Sequence, residues 1–246
     1  GLTKSFRGLV ALHNHAITLH GREIFGIIGA NGSGKSTFFN LVTGFSRPNA
    51  GKIEFKGQSI VGMAASRIVR LGIARTFQGS RLFGSLTVAE NVLAAAQLRR
   101  PIGPLAAVLR GGRYEDRVRE GENIAANLLR FMGLGSKADS LALDLPYGDL
   151  RRLEIARALA TGPQLLLLDE PAAGLDSNET KTLVGLIRSI RDQFGITVVV
   201  VEHDMDLIMP LCERIQVLAT GEVICVGTPE EVRRHPRVRE AYLGHS

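Results

Sequence analysis

From Gly29 to Ser36 the chain reads Gly-Ala-Asn-Gly-Ser-Gly-Lys-Ser, two glycines bracketing four residues and followed at once by a cation and a hydroxyl. Residues of these types at this spacing bind a chain of phosphates. Glycine lets successive N–H groups turn toward one point and form an anion nest. A helix opening directly behind the loop, over residues 35–42, adds its positive N-terminal end. In that setting Lys35 reaches the β- and γ-phosphates of a nucleotide, and the Ser36 hydroxyl ligates Mg²⁺. Three further places carry suitable chemistry. Asp169 and Glu170 follow the leucine run Leu165–Leu168, and His203 follows Val198–Val201. An aspartate closing a buried strand can hold Mg²⁺ through water. A glutamate one residue on can polarise a water that attacks the γ-phosphate. His203, at the carboxyl end of a parallel strand, reaches the same edge, where open α/β sheets bind ligands. Gln78, just after Phe77, offers an amide to metal or water. Taken together these groups suit hydrolysis of ATP, a reaction in which positioning and charge stabilisation dominate.

The elements that must position them are legible as an alternation of strands and helices, which argues for a largely parallel sheet covered by helices. Glu23–Ile28 and Leu165–Leu168 read as buried strands, as does Thr197–Val201; Ile73–Phe77 and Lys52–Phe55 read as shorter ones. Leu9–Leu12 and Ala16–Leu19 read as antiparallel strands leading into the first of these. Helix is expected at Arg67–Arg70, from Val88 to Leu98, over Glu115–Met132 and Asp149–Ala160, and over Glu179–Gln193. Pro101, Gly103, Pro104, Gly111 and Gly112 place a loop between the second and third of these helices. Arg214–Ala219 and Glu222–Val226 pair as a hairpin through Thr220-Gly221. Thr228-Pro-Glu-Glu231 is a helix start, with a threonine cap, proline at the first position and a capping box. The expected organisation is one domain over 1–246: an α/β core from 1–86 and 161–246, interrupted by a helical subdomain at 87–160.

Bulk properties exclude little but exclude it firmly. A chain of 246 residues, 45% hydrophobic and 22% charged, has the composition of a globular protein with a sizeable core. Its apolar runs are far shorter than the ~20 residues needed to cross a bilayer, and no charged-then-apolar leader opens it. A place in the cytosol, or on the cytosolic side of a membrane, is expected. Cys212 and Cys225 lack metal-ligand spacing and read as packing residues in a reducing compartment. The net charge is +6. It could answer to nucleic acid, to nucleotide or to an anionic membrane face. However, the basic stretch Arg110–Arg119 is interleaved with acids and holds a lone aromatic, Tyr114, a poor stacking platform for single strands. No nucleic-acid partner is expected.

With these residues assembled, nearly the whole chain resembles the nucleotide-binding subunits of ABC transporters. The resemblance implies a P-loop NTPase (RecA-like) core with an antiparallel β subdomain and an inserted helical subdomain. Gly29–Ser36 matches Walker A, which implies nucleotide contacts from Gly29, Asn31, Gly32, Ser33, Gly34, Lys35, Ser36 and Thr37. Gln78 matches the Q-loop, Leu165–Asp169 Walker B, Glu170 the catalytic glutamate, Asp176 the D-loop and His203 the switch histidine. Phe6 looks like the family's adenine-stacking aromatic. Leu145-Pro-Tyr-Gly-Asp149 stands at the signature motif, so Pro146, Tyr147, Gly148 and Asp149 would face the ATP of a second cassette. The usual form is Leu-Ser-Gly-Gly-Gln. Pro146 cannot donate the hydroxyl hydrogen bond of that serine, and Asp149 would bring like charge near a phosphate. The site completed by this signature is therefore expected to be the weaker of two. A finer similarity, carried by Ala74-Arg-Thr-Phe-Gln-x-x-Arg81-Leu-Phe, Arg151-Arg-Leu-Glu-Ile-Ala-Arg157 and Val201-Glu-His-Asp-Met205, is to the larger ATPase subunit of branched-chain amino acid importers. Amide and urea importers share much of it, and a soluble, non-transport ABC ATPase is the remaining alternative. The resemblance implies a second ATPase subunit, two membrane permease subunits, a binding protein outside the membrane, and a peripheral place on the cytoplasmic face of the inner membrane. The family also begins with a short strand ahead of Thr3-Lys4, so Gly1-Leu2 looks like a trimmed start.

Overall fold

The computed structural model describes residues 1–77, 82–99 and 112–242. Its centre is a six-stranded sheet in the order β10-β9-β3-β8-β7-β6. Four strands run parallel to their neighbours through the middle: β3 (Ile24–Gly29), β6 (Ile73–Arg75), β7 (Leu165–Asp169) and β8 (Thr197–Glu202). β9 (Arg214–Ala219) is parallel to β3, and β10 (Glu222–Gly227) returns antiparallel along it. Side chains alternate between two apolar layers, as strand geometry requires. Ile24, Ile28, Leu166, Leu168, Val198 and Val200 enter one layer. Phe25, Ile27, Leu165, Leu167, Val199 and Val201 enter the other. Both faces are covered, which explains why these strands read as continuous apolar runs rather than alternating ones.

The second layer is closed by α1 (Lys35–Val42), through Phe38, Phe39 and Leu41, and by Ile68 of α2 (Ala65–Leu71). The first is closed by α6 (Ser177–Phe194) and α7 (Met205–Leu211), together with helices that stand off the sheet. Those are α3 (Val88–Ala96), α4 (Gly112–Phe131) and α5 (Tyr147–Ala160), with α3 packed on both others. α8 (Pro229–Arg234) begins with the expected capping box: Thr228 accepts from the Glu231 amide and Glu231 from the Thr228 amide. α9 (Pro236–Tyr242) follows it.

One expected strand is absent. β1 (Leu2–Phe6) pairs antiparallel with β2 (Leu9–His15), and Ala16–Leu19 lies outside any strand. The cause is a tight turn. Arg7 and Gly8 both take positive φ, 46° and 90°, the combination that closes a two-residue hairpin. That turn places the partner of β2 on its N-terminal side. Residues 16–19 instead border an open apolar cleft of about 990 Å³ with Leu2, Ile53 and Phe55. The same device recurs at Lys56-Gly57, joining β4 (Glu54–Phe55) to β5 (Gln58–Ser59), and at Thr220-Gly221, joining β9 to β10.

Candidate functional site

The loop after β3 is shaped by what its glycines lack. A Cβ on Gly29 would stand 2.2 Å from Ser33 Oγ and 2.6 Å from the Leu218 carbonyl; one on Gly34, at φ +109°, would stand 2.6 Å from the Ala11 carbonyl. Only glycine lets the loop lie this close to β9 and β2. Asn31 and Gly32 are exposed at its crest, whereas Ser33, Gly34 and Lys35 are buried beneath. α1 starts from Gly34 with no side-chain cap, so its first-turn amides remain open to an anion. Ser36 is exposed and Thr37 half-buried on that turn.

Lys35 folds back over the loop and donates to the Gly29 carbonyl at 2.6 Å and to the Ala30 carbonyl at 3.1 Å. Burial pushes its ammonium below the usual lysine range, while Glu170, Asp169 and Glu202 pull it back up. A buried cation held on carbonyl oxygens gains from an incoming phosphate. Asp169 closes β7 at 3% exposure, and its amide donates to Thr76 Oγ1 at 3.2 Å. Among the described residues no donor reaches its Oδ1. An open cradle, a buried lysine and a buried carboxylate oxygen left over are the donor set that a nucleotide with a divalent cation requires. The residues present therefore fit ATP and Mg²⁺, and Ser36 and Asp169 would hold the metal.

Glu170 sits directly past the strand in left-handed backbone, φ 45°, its amide donating to the Val201 carbonyl at 2.9 Å. For a non-glycine residue this conformation is costly, and such strain gathers at active sites. It directs the chain out of the strand within one residue. His203 is exposed at the end of β8, with Nδ1 3.9 Å from Glu170 Oε1 and 3.7 Å from Glu202 Oε2. The structure thus brings Lys35, Asp169, Glu170 and His203 to one edge of the sheet.

Glu202 belongs to this group although no role could be assigned to it from sequence. It is 1% exposed, accepts from the Ala172 amide at 2.9 Å and from the His203 amide at 3.2 Å. Burial raises its carboxyl above the usual range, against the pull of those two amides. It ties the segment after Glu170 to the base of His203. Gln78 lies outside the described residues.

Tyr147 and Gly148 meet the segment around Asp176 and form a second cluster. That aspartate caps α6, accepting from the Asn178 and Glu179 amides at 2.8 Å each. Pro146 caps α5 without a side-chain bond. Tyr147 is exposed, beneath the Arg151 guanidinium, and its ring lies against Gly174, where an added Cβ would come within 2.8 Å. Gly148 likewise leaves room for Glu179. Asp149 differs from its expectation. It is 5% exposed and held by Lys137 and by Arg152 at 2.7 Å. Its charge is compensated inside the chain, so it does not present a bare carboxylate to an incoming phosphate, and repulsion no longer argues for a weaker site. Phe6 stands half-exposed at the end of β1 with the Lys4 ammonium 4.8 Å over its ring.

Comparison with known proteins agrees with this geometry. A family model described as ABC transporter matches residues 12–173, and one described as branched-chain amino acid ATP-binding cassette transporter matches residues 222–246. The chain is 43% identical over 246 residues to the high-affinity branched-chain amino acid transport ATP-binding protein LivG of Salmonella typhimurium, covering all of this chain and 96% of that protein. It is 40% identical, with the same coverage, to the corresponding protein BraF of Pseudomonas aeruginosa. Among solved structures, the ADP conformation of an ATP-binding cassette of an ABC transporter superposes with a TM-score of 0.84 at 28% identity, over 99% of this chain and 96% of that one.

Proposed function

Because this chain belongs to the ABC transporter ATP-binding family, we propose that it binds and hydrolyses ATP as the motor subunit of a branched-chain amino acid importer. The observation that carries the chemistry is the meeting of Lys35, Asp169, Glu170 and His203 at one sheet edge. The solute is argued from full-length likeness to LivG and BraF.

Each residue has a definite task. The loop amides and Lys35 hold the phosphates. Asp169 and Ser36 hold Mg²⁺, and Gln78 is assigned to the metal or the attacking water. Mg²⁺ would neutralise charge developing on the transferring phosphoryl group. Glu170 accepts hydrogen bonding from the attacking water and orients it. His203, free to move at its exposed position, contacts the γ-phosphate. Phe6 offers a ring face to the adenine.

The second cluster argues for a partner. Pro146, Tyr147 and Gly148 stand at the N-terminus of α5 and face outward, where they would meet the ATP of another cassette. Among solved relatives, a cassette bound to ADP and phosphate is dimeric, matching at TM-score 0.78 and 27% identity. No helix among the described residues is long and apolar enough to cross a membrane, and we assign the permease to other chains. The exposed Phe83 and Leu143 offer them an apolar landing. We place the subunit on the cytoplasmic face of the inner membrane, with a solute-binding protein acting from the far side.

The test is the Glu170→Gln variant in the assembled complex. ATP binding should persist while hydrolysis falls roughly 10²-fold or more, the size of a lost general base. Wild-type turnover would assign water activation to another residue. Leucine uptake by the reconstituted wild-type complex tests the solute.

A further inference from the structure

Arg75 closes β6 and is 7% exposed. Its Nη2 donates to Asp169 Oδ2 at 2.6 Å. Its Nη1 donates to Asn40 Oδ1 at 2.7 Å, on α1 behind the phosphate loop, and stands 3.5 Å from Oγ1 of Thr43, which caps the C-terminus of that helix. The guanidinium centre lies 5.3 Å from the Phe39 ring and 5.0 Å from the Phe77 ring. It is thus held by hydrogen bonds at its end and aromatic faces on its flanks, so it cannot swing away at low cost. A buried ion pair of this kind is no bargain for stability alone, since desolvation offsets the attraction. Its position gives it another meaning. One oxygen of the carboxylate assigned to Mg²⁺ carries a permanent cation, and the other is without a donor among the described residues.

We propose that Arg75 is the resident counter-cation of Asp169, keeping that carboxylate oriented and compensated without a divalent ion and opposing the ion electrostatically once it binds. The inference rests on the assignment of Asp169 to the metal. Two cations around one carboxylate are antagonists, and the antagonism is reciprocal. Arg75 weakens the gain from Mg²⁺, and Mg²⁺ weakens the hold on Arg75. Because Arg75 is also fastened to α1, a change in that hold is felt at the helix behind the phosphate loop.

The experiment measures ADP affinity by calorimetry with Mg²⁺ and with EDTA, alongside thermal unfolding of the nucleotide-free chain. Arg75→Gln should lower the melting temperature of the nucleotide-free protein and raise the Mg²⁺-to-EDTA affinity ratio roughly tenfold, a typical coupling between two sites. Arg75→Lys retains the cation and loses the fork. It should also melt lower, yet keep the wild-type ratio. An unchanged or smaller ratio in Arg75→Gln overturns the proposal. So does a ratio in Arg75→Lys that rises as far as in Arg75→Gln, because charge would then not be the cause. If Arg75→Gln fails to fold, Arg75→Met, neutral and of similar length, takes its place, and the ratio should rise there too; an unchanged ratio counts against the proposal. Asp169→Asn separates the two layers of inference. Loss of the Mg²⁺ effect there, with a normal ratio in Arg75→Gln, refutes the role of Arg75 alone. Persistence of the Mg²⁺ effect in Asp169→Asn removes the metal assignment and this proposal with it.

Discussion

Replacing Glu202 by glutamine should change the pH dependence of stability in a direction fixed by the structure. The side chain is 1% exposed, and burial raises its carboxyl above the usual range. The folded protein therefore keeps the proton at pH values where the unfolded chain, near about 4.3, has lost it. Stability contributed by this group is complete below the unfolded value and is lost as pH rises through the folded value. Within that window wild type should lose about 1.4 kcal/mol per pH unit relative to Glu202→Gln, which has no proton to release. The variant carries a constant penalty of about 1–3 kcal/mol as well, because one amide of the Ala172–His203 pair must then face a donor. That offset shifts the difference between the two proteins without altering its slope. Urea unfolding of both, at intervals from about pH 4.5 to 8, gives the difference directly. The His203→Gln background serves as a control for the neighbouring imidazole, 3.7 Å away. A difference that stays flat, or that favours wild type as pH rises, would refute the claim that burial governs this carboxyl.

Two other substitutions have definite outcomes. Lys35→Ala should abolish ATP turnover, because it removes the buried cation held beside Glu170, Asp169 and Glu202; a steady-state assay retaining wild-type rates would sink the phosphate assignment. Gly34→Ala places a Cβ 2.6 Å from a backbone carbonyl and 2.7 Å from Leu12 Cδ2 at φ +109°. Strain and overpacking together should cost about 2–6 kcal/mol in urea unfolding, and a loss under about 1 kcal/mol would mean the loop can relax elsewhere.

The residues that do chemistry were legible because their backbone settings are local. Gly29–Ser36 lies between a buried strand and a helix, and both β7 and β8 announce themselves by apolar runs. The hairpin at Arg7-Gly8 was missed because arginine is a weak turn signal, and its φ of 46° is imposed by strand pairing. Arg75 and Glu202 were visible as residues but not as participants. Their partners lie 94 and 30 positions away in the chain, and nothing in the local pattern points to them. Asp149 illustrates the same limit in reverse. Its type and position argued for repulsion, whereas Lys137, in a short turn 12 residues earlier, and Arg152 answer its charge. α7 was overlooked because Pro210 stands inside it, close enough to its end for the helix to tolerate the missing donor.

The turn between β9 and β10 does more than reverse the chain. The Gly221 amide donates to the Ser33 carbonyl at 3.0 Å, and the Gly221 carbonyl accepts from the His13 amide at 2.9 Å. The phosphate loop is thereby fastened by residues made almost two hundred positions after it. On the ribosome the residues of that loop emerge well before the turn that anchors them. A fragment stopping before this turn keeps all of the phosphate-binding, metal and histidine residues but not the fastening that shapes their loop.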